Sequence, residues 1–127
     1  MISLTTVKTK EPVLVINTTS IAAGGEVHID IDTGNVKELA ITVRVTYDAS
    51  ATSGIRVYVL ASPDGTNFDT ENTDDAFTYF EPSFQAGATR QKTVNIDALP
   101  RYIRLLVRNL DSTYATGEVK VWITVVK

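Results

Sequence analysis

Val43-Arg44-Val45-Thr46-Tyr47 and Ile55-Arg56-Val57-Tyr58-Val59-Leu60 decide the fold. Both segments alternate apolar and polar residues. The small, flexible connector Asp48-Ala49-Ser50-Ala51-Thr52-Ser53-Gly54 separates them. Period-two alternation puts successive side chains on opposite faces of an extended chain, so each segment reads as a half-buried strand. Two such segments joined by small residues predict an antiparallel hairpin. Directly afterwards, Ser62-Pro63-Asp64-Gly65-Thr66-Asn67-Phe68 carries the Pro and Gly of a tight turn, followed by an aromatic.

The same style continues in both directions. Val13-Leu14-Val15-Ile16 is a short apolar run after Pro12, readable as a strand at an edge or buried on both faces. Val27, Ile29 and Ile31 alternate with His28 and Asp30. Leu39, Ile41, Val43, Val45 and Tyr47 form one inward set, with Ala40, Thr42, Arg44 and Thr46 pointing away. Thr93–Ile96, Tyr102–Arg108 and Val119–Val125 complete the series. No segment has an apolar stripe at helical spacing. About eight strands at intervals of roughly 10–15 residues predict an all-β, single-domain antiparallel sandwich over residues 1–127, of Greek-key or jelly-roll connectivity. Val43, Val57, Leu105 and Ile123 are expected in its core. Strand order within the sheets does not follow from alternation.

Composition narrows the function classes. The chain has 127 residues, enough for a core without covalent staples, and a net charge of −3. That charge argues against a nucleic-acid binder built on phosphate neutralisation. There is no cysteine, hence no disulfide, thiolate metal site or thiol nucleophile. No apolar run approaches the length of a membrane span, and residues 1–8 lack the pattern of a signal peptide. Asn17-Thr18-Thr19 fits a glycosylation sequon, without a secretion signal to give it meaning.

No catalytic constellation stands out. The one histidine, His28, lies on the polar face of a strand, and no nucleophile-elbow pattern accompanies it. No enzymatic activity and no cofactor are expected. Asp64, Asp69, Glu71, Asp74, Asp75 and Glu81 form the densest run of carboxylates. Oxygen-rich loops of this kind can hold calcium, but the spacing matches no EF-hand loop, and a solvated acidic loop is expected. Phe68, Phe77, Tyr79, Phe80 and Phe84 crowd into the same stretch. They read either as a plug for one end of the core or as a contact surface.

Three outward strand faces combine cations with aromatics: Arg56, Tyr58 and Leu60; Tyr102, Arg104, Leu106 and Arg108; Lys120, Trp122 and Thr124. Arg with Tyr or Trp buries well and keeps a polar handle, which suits protein contact and also sugar stacking. The basic residues sit on strands and the acidic ones in the loop from Asp69 to Asp75, an asymmetry that would let copies of the chain pack together.

Two stretches carry a resemblance. One is Ile21-Ala22-Ala23-Gly24-Gly25-Glu26-Val27. The other is Arg56 to Thr70 through the Ser62-Pro63-Asp64-Gly65 turn, followed by Pro100-Arg101-Tyr102-Ile103-Arg104-Leu105-Leu106-Val107-Arg108-Asn109. Together they resemble small virion structural proteins of tailed phages and prophages, of the head-decoration or tail-associated kind. The resemblance implies a non-enzymatic assembly module in the virion, made in the host cytoplasm. Its partners would be itself, as a homo-oligomer and by analogy a trimer, or capsid or tail proteins. Neither nucleic acid nor membrane is an expected partner. Arg101-Tyr102-Ile103-Arg104-Leu105 is also similar to the penultimate strand of discoidin-type, galactose-binding-like jelly rolls. That likeness implies carbohydrate or surface binding, with Tyr58, Tyr102 and Trp122 as a planar aromatic row.

Overall fold

A computed structural model describes all 127 residues. It contains nine strands and no helix: β1 (Ile2–Ser3), β2 (Val13–Thr18), β3 (Glu26–Asp32), β4 (Glu38–Thr46), β5 (Ile55–Ser62), β6 (Thr78–Phe80), β7 (Thr89–Ile96), β8 (Tyr102–Asn109) and β9 (Val119–Val126). A five-stranded sheet runs β1-β3-β8-β5-β6 and a four-stranded sheet runs β2-β9-β4-β7. All pairings are antiparallel except the short parallel pairing of β1 with β3. From β2 to β5, each successive strand lies in the opposite sheet. This is the jelly-roll solution to closing two sheets over one core.

The predicted central hairpin does not form. β4 pairs with β7 and β9, whereas β5 pairs with β6 and β8 in the other sheet. The connector Asp48–Gly54 crosses between sheets that stand about 10 Å apart, a gap a two-residue turn cannot span. Its crossing is pinned at both ends. Asp48 carbonyl accepts from the Ala51 and Gly87 amides, and the Ile55 amide donates to the Tyr47 hydroxyl at 3.4 Å. Alternation specifies which face of a strand is buried, not which strand lies beside it.

The main core is built from the inner faces of both sheets. Leu39, Ile41, Val43 and Val45 of β4 meet Val57 and Val59 of β5 across the sandwich. Ile103, Leu105 and Val107 of β8 meet Val119, Val121, Ile123 and Val125 of β9. Val43, Val57, Leu105 and Ile123 are each fully buried, as expected. Val13–Thr18 is an edge strand with a register shift between Leu14 and Ile16. At the opposite edge of that sheet, β7 begins at Thr89, earlier than the periodicity indicated. Its inner positions there are Arg90 and Lys92, opposite Val45 and Val43, and two cations do not read as the core face of a strand.

β6 was not legible either. It falls inside the acidic, aromatic stretch and is three residues long. Of the five aromatics there, only Phe80 enters the main core. Phe68 packs elsewhere, and Phe77, Tyr79 and Phe84 stay about 40% exposed.

Candidate functional site

Arg56, Tyr58, Tyr102, Arg104 and Arg108 share the outer face of the five-stranded sheet, because β5 and β8 are neighbours in register. Arg56 stands opposite Arg108, Tyr58 opposite Leu106, and Leu60 opposite Arg104. That face is not open. The connection between β5 and β6 folds back over it, and Tyr58, Leu60 and Leu106 form a second small core with Phe68 and Ala76 against them. Tyr58 is 3% exposed, so it cannot serve as a contact or stacking residue. Phe80, another contact candidate, is 8% exposed in the main core.

The arginines are engaged within the chain. Arg104 Nε and Nη2 donate to the two carboxylate oxygens of Asp30 at 2.6 and 3.0 Å, and its guanidinium lies 4.3 Å from the centre of the Phe68 ring. Arg108 donates to Glu26 at 2.6 and 3.0 Å and to the Glu71 carbonyl at 3.4 Å. Arg56 donates to Glu81 and to the Tyr58 hydroxyl, and stacks near Tyr79. The hydrogen bond from Arg104 holds the Asp30 carboxyl below its ordinary pKa. These arginines thus find their carboxylates inside one molecule, mostly on β3 and next to β6, and only Glu71 of the acidic loop is among them. Tyr102 lies at one end of the same face beneath Arg101, 5.1 Å from that guanidinium.

The acidic run does not converge. No group of three or more carboxylates or histidines comes together in a metal-holding arrangement. Asp64 accepts from the Thr66 and Asn67 amides and the Asn67 side chain, and these bonds push its pKa well down. Asp69 accepts from the Ala61 amide, and Asp75 from the Asn72 side-chain amide. Asp74 donates its amide to Asn72 Oδ1, and Glu71 faces Arg108. These side chains hold the shape of the covering loop. Gly65, with φ of 78°, completes the turn that starts it.

The four-stranded sheet presents a different outer face. Register aligns Leu14, Trp122, Thr42 and Thr93 in one row across β2, β9, β4 and β7. The next row is Asn17, Lys120, Arg44 and Gln91. A groove of about 360 Å³ opens here, lined by Pro12, Thr42, Arg44, Gln91, Trp122 and Thr124. Trp122 is half-buried, Leu14 is 43% exposed beside it, and Thr42 and Thr93 share a hydrogen bond of 2.8 Å. Pro12, Arg44 and Gln91 of its lining are exposed. Trp122 and Tyr102 thus sit on opposite sheets, and the planar row of Tyr58, Tyr102 and Trp122 does not exist. Alternation places Thr42 and Arg44 on the outward side of their strand, but nothing in the sequence marks them or Gln91 as a site. Their signal is the cross-strand register, which alternation does not encode.

One polar feature escaped the sequence reading entirely. Asn109, the last residue of β8, and Asp111 just beyond it are buried. Asn109 Nδ2 donates to the carbonyls of Ile21, Ala22 and Tyr114. Asp111 accepts from the amides of Thr52, Ser53, Thr113 and Tyr114 at 2.7–3.1 Å. Those amides drive its pKa far below the usual carboxylate range. Thr116 Oγ1 accepts from the Ile21 amide in the same knot. The four N–H groups on the Asp111 carboxylate tie the β4–β5 connector to the β8–β9 loop, and Asn109 and Thr116 bring in the β2–β3 loop at the same end of the sandwich. The cluster is already satisfied and offers nothing to a ligand.

The sequence matches no family model and no curated protein. Solved structures share its architecture. The Yersinia pseudotuberculosis-derived mitogen overlays with a TM-score of 0.54 at 12% identity, covering 93% of this chain and 88% of its own. The likeness is one of fold. A subunit of Bacillus endospore appendages overlays with a TM-score of 0.44 at 14% identity, over 92% of this chain and 87% of that one. The carbohydrate-binding module CBM6cm-2 of Cellvibrio mixtus lichenase 5A, solved with cellotriose, gives 0.36 at 13% identity, over 91% and 88%. These last two overlays are too loose to bear on function.

Proposed function

We propose that the domain is a non-catalytic binding module that takes a sugar on the outer face of the four-stranded sheet. The groove around Trp122 carries this reading. Sugar recognition needs an aromatic face for the apolar side of a pyranose ring, and rigidly placed donors and acceptors for its hydroxyls. Trp122 and Leu14 supply an apolar strip, and Thr42, Gln91, Arg44 and Thr124 supply the polar groups. A volume of about 360 Å³ suits a small saccharide. All but Pro12 of the lining residues stand on strands, which hold a site more rigidly than loops. Trp122 is the chain's sole tryptophan, so its fluorescence reports on the groove alone. Titration with a panel of oligosaccharides is expected to give a saturable emission change. Calorimetry is expected to show the same binding, lost in Trp122→Ala. A panel in which no member shifts the emission or releases heat overturns the reading.

A second reading is a structural module of a phage or virus-like particle that contacts its own copies or capsid or tail proteins. The exposed aromatics favour it. Phe77 and Tyr79, both 43% exposed, lie two residues apart at the β6 edge. Aromatics are enriched at the buried centres of interfaces. Sedimentation at micromolar concentration tests it. A homo-oligomer dispersed by Phe77→Ser with Tyr79→Ser supports it, and a monomer removes self-assembly in solution.

A further inference from the structure

We infer that the groove selects acidic saccharides, with Arg44 holding a carboxylate or sulfate on the ring next to the one stacked on Trp122. This rests on the sugar-binding reading and adds the charge of the ligand to it. Four arginines of the molecule are held in carboxylate pairs: Arg56 with Glu81, Arg101 with Asp32, Arg104 with Asp30, and Arg108 with Glu26. None of the six ion pairs involves Arg44. It is exposed, and it is the one charged residue lining the groove. Lys120 stands directly opposite it on β9, with a 3.5 Å contact to the exposed Glu118 as its ion pair. Gln91 stands opposite Arg44 on β7. The row Lys120-Arg44-Gln91 is thus a strip of donors with two positive charges on a protein of net charge −3.

Geometry links this strip to the stacking residue. Trp122 and Lys120 are two positions apart on β9, as Thr42 and Arg44 are on β4. Two residues of strand advance about 7 Å, roughly the step from a sugar ring to a substituent of its neighbour. A guanidinium presents paired N–H groups that match two oxygens of a carboxylate or sulfate. In a shallow groove such a bond is partly screened, so about a tenfold gain in affinity is expected.

The test compares three trisaccharides by calorimetry: neutral galactotriose, trigalacturonate and a sulfated galactotriose. At low salt at least one acidic form is expected to bind about tenfold more tightly than the neutral one, with the advantage shrinking as salt is raised. Whichever acidic form wins names the anion. Arg44→Gln is expected to bring that affinity down to the neutral level, while Arg101→Gln, which removes the same charge just ahead of β8 in the other sheet, keeps the preference. Equal binding of all three sugars, or a preference that survives Arg44→Gln, overturns the inference and leaves the sugar reading standing. If the wild-type protein binds none of the three but binds other neutral glycans, the inference falls alone. If it binds no glycan at all, both fall.

Discussion

Asp111 is a carboxylate enclosed by amides, and its behaviour with pH follows from that. Its folded pKa is depressed, so the folded state binds its proton less readily than the unfolded chain. The stability it contributes is complete above the unfolded carboxylate pKa, about 4, and drains away as pH falls below that value. Asp30, held low by Arg104, has the same sign. Asp111→Asn turns half of the acceptor into a donor facing other donors. Urea denaturation is expected to show the variant less stable at neutral pH, with the gap to wild type closing in the acid range; a constant gap would remove the charge from the explanation. In the core, Val43→Ala, Val57→Ala, Leu105→Ala and Ile123→Ala are each expected to cost about 1–4 kcal/mol in denaturant titrations, from lost burial plus a cavity. These four were legible because period two separates the faces of a strand cleanly. Leu60 was read as outward, correctly, yet it is fully buried. What buries it is the loop that carries Phe68, and no periodicity announces a loop folding back. Leu60→Ala should therefore cost about 2–4 kcal/mol, as in the main core, and a change below half a kilocalorie would show that the cover is loose.

At the scale of elements, the covering segment between β5 and β6 explains why the cationic strand faces misled. Arg104 sits between Asp30 and Phe68, and Arg108 between Glu26 and Glu71. Reversing Arg104 to Glu sets two carboxylates against each other and removes the cation from Phe68. A destabilisation on the order of 1–3 kcal/mol is expected from the lost charge-assisted bonds and the ring contact, tempered by partial solvent access. The measurement is again the denaturation midpoint, now alongside chymotrypsin cleavage after Phe68, which should speed up as the cover lifts. A variant as stable and as resistant as wild type would mean that the pair is ornamental. The strands themselves were legible from Val27 to Val125, save where they were too short or carried cations inward, as β6 and the start of β7 do. The pairing of β4 with β9 and β7 was not, and the groove depends on that pairing. Thr42, Arg44 and Gln91 become its lining only when those strands lie side by side.

At the scale of the whole molecule, most contacts join residues far apart in sequence, as in the pairing of Asn17 with Lys120. Closing such long loops before they are rewarded slows folding, so refolding after dilution from urea is expected to take milliseconds to seconds. A microsecond phase carrying the full amplitude would contradict this topology. The order of the strands reaches further. The last two, β8 and β9, are interior to their sheets: β8 lies between β3 and β5, and β9 between β2 and β4. On a ribosome, the first hundred residues therefore emerge with the middle of both sheets missing. β2 and β4 wait unpaired with each other until Val119–Val126 arrives to bridge them. Nascent chains of this domain remain open almost to the end of its synthesis. A product stopped before Val119 keeps most of the apolar residues but leaves the four-stranded sheet unbridged, which makes it a substrate for proteases and chaperones.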